Sequence, residues 1–464
     1  MNKLKRIINL ENLIYLIIII CPILDMASFI FRNAFNTKIS PATILRPVIP
    51  VIIIIYLFFK KKFKIKLILV SLVYGIYAII HLLCFYDIKT GSAYGGIIQE
   101  MQYLINYTFM ILNLFIFLYI FKDKDVKRLK KYVLVSSFMY ILSIYIAILT
   151  KTSSTTYIEG MGYKGWFESG NSISAILILS LFLLLQLVKD KKYNKIAIPV
   201  IILIGIFLTT LIGTRTGLFG FILVIGIYVF VETLISILKK NRINKKMTIS
   251  CIVGIVAVVV IVGTAGSVTI NRRKQLKNES LEMSKEEITH ISGSLTKIKE
   301  QIDNNSLEES FMSETQMKSV IDLYNIANKL KITNNDLRMQ QLIYNICLVK
   351  NQANPLLILF GNGHQLNFYE LVMEMEVLSI LINFGLIGFI LYLGPFIAIL
   401  IYTFVFGIKN IKKIDSEYIM LFLGSCLGFV LSLLTGYVFF SLSTNIIIII
   451  IDTILIHKIE NINT

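Results

Sequence analysis

Gly170-Asn-Ser-Ile-Ser-Ala-Ile-Leu-Ile-Leu-Ser-Leu-Phe-Leu-Leu-Leu-Gln-Leu-Val188 carries no charge, and Lys189-Asp-Lys-Lys-Tyr-Asn-Lys195 follows it at once. A helix needs about 20 mostly apolar residues to cross the hydrocarbon core of a bilayer. A run of that length closed by a basic cluster reads as a membrane span that ends in the cytoplasm. The pattern recurs along the chain. Spans fall near 13–31, 42–59, 67–86, 98–121, 132–150, 170–188, 196–213, 217–238, 247–269, 379–406, 418–440 and 443–457, the last one short. With 56% hydrophobic residues and a mean hydropathy of +0.75, the chain is far more apolar than a soluble domain. The expected fold is an all-α polytopic membrane protein of about twelve transmembrane helices. Nine spans lie within 1–270, a large loop covers 271–378, and three spans lie within 379–464. The first apolar run is too long for a cleavable signal and lacks a small-residue cleavage site.

The net charge of +18 invites a nucleic-acid reading, but its placement argues against one. Alternate gaps carry Lys3/Lys5/Arg6, Lys60–Lys66, Lys122–Lys131, Lys189–Lys195, Lys239–Lys246, Lys409–Lys413 and Lys458. Those gaps hold 27 of the 46 Lys and Arg against seven acids, which accounts for the whole surplus. The positive-inside rule then puts both termini in the cytoplasm and the 271–378 loop outside, in the cytoplasmic membrane. The basic runs are orientation signals with affinity for anionic membrane lipids.

The large loop reads as helical. Ser284-Lys-Glu-Glu287, Ser306-Leu-Glu-Glu309 and Ser313-Glu-Thr-Gln316 each match a capping box. Val320, Leu323, Tyr324, Ala327 and Leu330 recur at helical spacing. Charges between 271 and 369 nearly balance, 12 basic against 11 acidic, which suits a folded element rather than a disordered one. Asn354-Pro355 breaks the helix, and Gly361-Asn-Gly363 makes a turn.

Candidate chemistry sits at the outer ends of the spans. Arg46 stands in Thr43-Ile-Leu-Arg-Pro-Val-Ile-Pro50, where the two prolines point to a broken helix end. It either snorkels to water or serves a site. Arg215 occupies a tight outer turn, Gly213-Thr-Arg-Thr-Gly217, so its fork of donors meets solvent, headgroups or a phosphate. Glu374 and Glu376 precede Leu378-Ser-Ile-Leu-Ile-Asn-Phe-Gly-Leu-Ile-Gly388, and Glu370 shares a helical face with Glu374. They read either as a solvated acidic helix start or as a general base. His364 is a lone loop histidine between Arg338 and these carboxylates. Asp25 and Glu232 look isolated, and Glu100 lies near an outer end. There is no Walker A loop, HExxH or GxSxG. The five cysteines show no metal-ligand or disulfide spacing; Cys84 and Cys347 alone could face outward. Neither metal nor cofactor is expected.

Five local patterns together resemble the O-antigen ligase/polymerase family of bacterial membrane glycosyltransferases. They are Gly165-Trp-Phe-Glu-Ser-Gly-Asn171, Gly213-Thr-Arg-Thr-Gly217, Arg338 ahead of Asn354-Pro-Leu-Leu-Ile-Leu-Phe-Gly-Asn-Gly363, Glu374-Met-Glu376 ahead of Gly385-Leu-Ile-Gly388, and Thr435-Gly-Tyr-Val-Phe-Phe440. Their order and side agree over 160–445, while the first 150 residues match only in hydropathy. Two departures stand out. The family's ligases usually carry His where Glu374 stands, followed by Asn where Met375 stands, and often His where Tyr437 stands. The carboxylate pattern is more similar to the polymerase branch of capsule and exopolysaccharide clusters.

The resemblance implies an oligosaccharide on a polyprenyl diphosphate as substrate, with inversion at the anomeric carbon. It implies Arg215 and Arg338, with Arg46, as neutralisers of the leaving diphosphate. Glu374 or Glu376 would take the acceptor proton, with His364 as competitor, and Trp166, Asn171 and Tyr437 would contact substrate. A chain-length regulator is an implied partner. A ligase that moves finished glycan is the nearest alternative. A flippase or transporter is more distant, because no half-to-half similarity is visible.

Overall fold

The computed structural model describes residues 10–35, 41–58, 64–88, 96–157, 161–238, 267–283, 299–306, 312–332, 337–352, 354–365, 373–436 and 438–463. Five helices open the chain: α1 (Leu10–Phe35), α2 (Pro41–Phe58), α3 (Lys64–Ile88), α4 (Ile97–Ile120) and α5 (Lys127–Leu149). A short antiparallel hairpin follows, β1 (Ser154–Thr155) and β2 (Tyr163–Gly165). Next come α6 (Gly170–Leu187), α7 (Asn194–Ile206) with a π turn over Phe207–Leu211, and α8 (Arg215–Leu238). The loop region contributes α9 (Val268–Met283), α10 (Glu314–Leu330), α11 (Leu337–Gln352) and α12 (Pro355–Phe360). The C-terminal part is α13 (Glu376–Asn383), α14 (Gly385–Lys409), α15 (Ser416–Thr435) and α16 (Leu442–Asn463).

Among the described residues, ten helices are long and apolar enough to cross a membrane. The protein is an all-α polytopic membrane protein. α6 is its hub, buried along almost its whole length, and α5, α8, α15 and α16 pack around it. α16 is nearly as buried, and its Ile446–Ile451 run fills the centre. α3, α8 and α14 keep large apolar side chains such as Ile79, Phe219 and Phe404 on the outside. Lipid accepts those side chains, and helices satisfy their own backbone there.

Hydroxyls repair the helices where the ladder breaks. At the π turn, Thr209 and Thr210 donate to the carbonyls of Gly205 and Ile206 at 2.7 and 2.6 Å, and Ser267 donates to Thr209. These bonds re-satisfy carbonyls that the changed register frees. The Ser313 capping box forms as read: its hydroxyl accepts from Gln316 N, and Gln316 returns the bond. Val320, Leu323, Tyr324 and Ala327 then pack on Ile343, Tyr344, Cys347 and Leu348 of α11, while Leu330 stays exposed. This helical hairpin has its own small core. Cys84 and Cys347 are both unbridged.

Several boundaries differ from expectation. The tenth span is not continuous, because α13 ends at Asn383 and α14 starts after a break at Phe384 and Gly385. The Gly361-Asn-Gly363 turn is threaded into that break. Asn362 N and Gly363 N donate to Ile382 and Asn383 at 3.1 and 2.9 Å. A Cβ on Gly361 would lie 2.1 Å from the Asn383 carbonyl oxygen, so only glycine fits. The eleventh span stops at Thr435 rather than 440. The last helix is longer than read, reaching Asn463. α2 runs from Pro41 through Pro47 and Pro50 without the expected broken end. The β1–β2 hairpin was not foreseen. The span near 247–269 lies almost wholly outside the described residues, as do the Ser284 box, most of the Ser306 box and Glu370.

Candidate active site

The segment from the end of α15 to the start of α16, Leu434 to Ser443, meets four of the predicted site residues: Arg338, Glu374, Glu376 and Arg46. Gly436 ends α15 with φ +70°, and a Cβ there would lie 2.1 Å from the Glu374 carbonyl oxygen. This close approach binds the 434–443 segment to the strand-like approach to α13. The Glu376 side chain then clamps it. Its carboxylate accepts from the backbone N–H groups of Val438 (2.7 Å), Phe439 (2.8 Å) and Phe440, and from Ser432 (3.0 Å) and Tyr107 (3.2 Å). A carboxylate offers about four lone-pair sites. Five donors therefore fill Glu376, which is also buried.

Glu374 is two residues away and differs in every respect. It lies before the helix, not on the helical face with Glu370 that was expected. Its Oε2 accepts from Arg338 Nε at 3.0 Å, and Arg338 Nη1 also donates to the Leu434 carbonyl. Gln341 fixes the Glu374 backbone at 3.1 Å. Arg338 and Gln341 share a face of α11, so the loop hairpin delivers the guanidinium to the bundle. The pair is only partly buried, with side-chain exposures of 43% and 22%. Charge and access thus coincide here.

His364 belongs to a buried trio. Glu100 accepts from His364 N at 2.9 Å and contacts His364 Nδ1 and His81 Nε2, each at 2.9 Å. His81 Nδ1 donates to the Phe360 carbonyl at 2.6 Å. Tyr103 stacks on His364 with ring centroids 3.9 Å apart, and on Phe440 at 4.8 Å. The histidine stands behind an aromatic wall that the 434–443 segment completes. Among the described residues, no cluster of three or more His, Cys, Asp or Glu is arranged to hold a metal ion.

Arg46 is not a lone cation. It donates to Asp25 and, at 3.0 Å, to Ser443 Oγ. Asp25 also accepts from Tyr140 at 2.5 Å and Ser443 at 2.7 Å. Asp25, read as isolated, is therefore the centre of a four-residue network. Glu232, read the same way, pairs with Lys189 at 2.6 Å. The network borders a cavity of about 370 Å³, lined by α1, α2, α4, the start of α6 and Phe440–Leu442. Arg32 and Glu168 pair at 3.0 Å on its exposed rim. Lys164 reaches the Glu168 carbonyl at 2.9 Å. Partial burial depresses its ammonium below the usual range, opposed by the Glu168 carboxylate.

Arg215 opens α8 and is exposed, with no hydrogen bond or ion pair among the described residues. The turn itself is Gly213-Thr214, with Gly213 at φ +80°. Tyr157 donates to the Gly213 carbonyl, and Arg272 of α9 lies 3.4 Å over the Tyr157 ring. Thr214 and Ser174 share a hydrogen bond of 2.8 Å, so the turn rests on the first turn of α6. Ser169 and Ser172 of that same turn line the cavity. One helix, about 10–12 Å across, separates the Arg215 turn from the cavity. Trp166 donates to Thr152 at 2.9 Å beside the hairpin, and Asn171 sits in the first turn of α6 without a hydrogen bond. Tyr437 lies outside the described residues.

The structure brings Arg338 to Glu374, Glu376 to the 434–443 segment and Arg46 to its far end at Ser443. Leu434 and Ser443 are nine residues apart, so these two contact points are separated by at most about 30 Å. A family model of O-antigen ligase like membrane proteins matches residues 9–462. The chain belongs to that family. The match covers the first 150 residues as well, where motifs gave no sign. No curated protein and no solved structure matches the chain. An O-antigen ligase like membrane protein is a membrane glycosyl-transfer protein, and its lipid-linked oligosaccharide substrates are met at a membrane surface.

The sequence did not disclose Glu100, His81, Asp25, Tyr140 or Ser443. One signal was available for Asp25. It lies ten residues before the end of α1, and Arg46 lies five after the start of α2. Antiparallel neighbours joined by a short connection place such residues at similar depth. Ionisable groups at membrane depth rarely stand without a partner.

Proposed function

We propose that this chain is a polysaccharide polymerase. It transfers an oligosaccharide from polyprenyl diphosphate to a sugar hydroxyl of another lipid-linked repeat unit. The site faces the outside of the cytoplasmic membrane, with both termini in the cytoplasm, as the basic gaps require. The observation that carries this reading is the accessible Arg338–Glu374 pair, held against the 434–443 segment by the loop hairpin. Glu374 takes the proton of the acceptor hydroxyl as its oxygen bonds to the anomeric carbon. The bond from that carbon to the diphosphate oxygen breaks, and the electron pair leaves with the diphosphate. Arg338 and the unpaired Arg215 neutralise that charge. A single displacement inverts the anomeric centre. Glu376, with every acceptor site filled, holds the backbone in place and moves no proton. His364 and Glu100 support the aromatic wall behind the site.

The test is chain elongation by the purified protein in lipid vesicles, with a polyprenyl-diphosphate oligosaccharide as sole substrate. Elongated lipid-linked products support the reading. Release of finished glycan onto a different acceptor, with no elongation, would instead mark a ligase. Substrate movement across the vesicle without a new glycosidic bond would mark a transporter.

A further inference from the structure

The cavity beside Arg46 contains four charged side chains, and all four are already used. Arg46 pairs with Asp25, and Arg32 pairs with Glu168. Asp25 is held further by Tyr140 and Ser443. Among the described lining residues the formal charge therefore sums to zero. A diphosphate is drawn to surplus positive charge. This cavity does not offer it. Arg215 does, and it stands on the other side of the α6 N-terminus.

The cavity offers something else. Gln102 and Asn106 lie four residues apart on α4, line the cavity together, and make no hydrogen bond to the described protein. Each carboxamide presents two donors and one acceptor oxygen, all uncharged. Buried or half-buried polar groups are normally paired with protein or with a ligand or water. Phe440, whose ring stacks on Tyr103, and Phe167 line the same cavity. Neutral donors and acceptors beside an aromatic surface match a pyranose ring, whose hydroxyls edge an apolar face.

We propose that this cavity is a neutral-sugar subsite, which holds a sugar residue of the glycan while the diphosphate lies elsewhere. Arg46 is then a clamp on Asp25 and not a phosphate ligand, contrary to the role the family resemblance implied for it. The inference rests on the glycosyl-transfer reading for its choice of ligand. Gln102 and Asn106 are its recognition residues.

The test uses the full chain in lipid nanodiscs and two probes. One is the free oligosaccharide released from the host cell's own surface polysaccharide by mild acid, and the other is inorganic pyrophosphate. Saturation-transfer NMR should show sugar-ring protons in contact with the wild-type protein. Gln102→Ala and Asn106→Ala should each weaken that binding about three- to tenfold, the loss of one or two neutral hydrogen bonds. The isosteric Gln102→Glu, which leaves the cavity its volume, should weaken it as well. Excess pyrophosphate should not displace the sugar, and Arg215→Ala should keep it. Wild-type affinity in the Gln102 and Asn106 variants, displacement by pyrophosphate, or no transfer to the wild type would each overturn the subsite. A wild type that binds the sugar yet never elongates lipid-linked units would overturn the polymerase reading and leave the subsite standing.

Discussion

Two clusters of ion pairs hold this bundle, one at each end, and they differ in what surrounds them. At the basic-gap end, Lys458 bridges Asp415 and Glu417 at 2.8 and 2.7 Å, and Lys130 joins Glu417. These groups tie α5, α15 and α16 together, and none of them lines the cavity beside Arg46. At the loop end, Arg46–Asp25 and Arg32–Glu168 line a cavity with two carboxamides that make no hydrogen bond to the described protein, while the Arg338–Glu374 pair and the exposed Arg215 lie outside that lining. Charge pairing is common to both. What separates a candidate site from a fastener is open space and polar groups left without protein partners.

The comparison can be broken most sharply at Glu374. Glu374→Gln keeps the shape and removes the base, so chain elongation should fall by about 10²- to 10⁴-fold with little change in thermal stability. Arg338→Ala should cost a comparable 10²- to 10³-fold in elongation, since it removes a donor aimed at developing charge. Both are measured by product length on gels from purified protein. Glu376→Ala should act in the opposite sense. It strands the buried backbone N–H groups of Val438 and Phe439, at about 1–3 kcal/mol each, and the part-buried one of Phe440, so the protein should lose its cooperative melting transition or fail to purify. At the other end, Lys458→Ala should lower stability by about 1.5–3 kcal/mol, the loss of hydrogen bonds to charged groups, and leave elongation by the folded protein unchanged. Loss of elongation in Lys458→Ala, with folding intact, would erase the distinction between the two ends.

Glu374 and Glu376 show how far the sequence could be read. Both were visible as carboxylates ahead of a span, and nothing in Glu374-Met-Glu376 said which one backbone amides would fill. The answer depends on Val438, Phe439 and Phe440, some sixty residues on, whose amides converge on Glu376 alone. Composition and hydropathy carried the fold, because bilayer thickness fixes helix length and lipid forbids open backbone. The break at Phe384 was legible in principle: Gly385 and Gly361 both have positive φ, a Cβ on Gly385 would meet the Gly361 nitrogen, and a Cβ on Gly361 would meet the Asn383 carbonyl. Side-chain partners between distant spans, such as Arg46 with Ser443 or Tyr107 with Glu376, leave no periodic mark. They follow from which helices become neighbours, and hydropathy does not order neighbours.

The central claim is that the accessible Arg338–Glu374 pair is the reaction centre, while Glu376 two residues away is a structural clamp. Elongation of a polyprenyl-diphosphate oligosaccharide by purified, folded Glu374→Gln tests it directly. The account predicts no polymer from a protein that melts like the wild type. Polymer of wild-type length at the wild-type rate would contradict it.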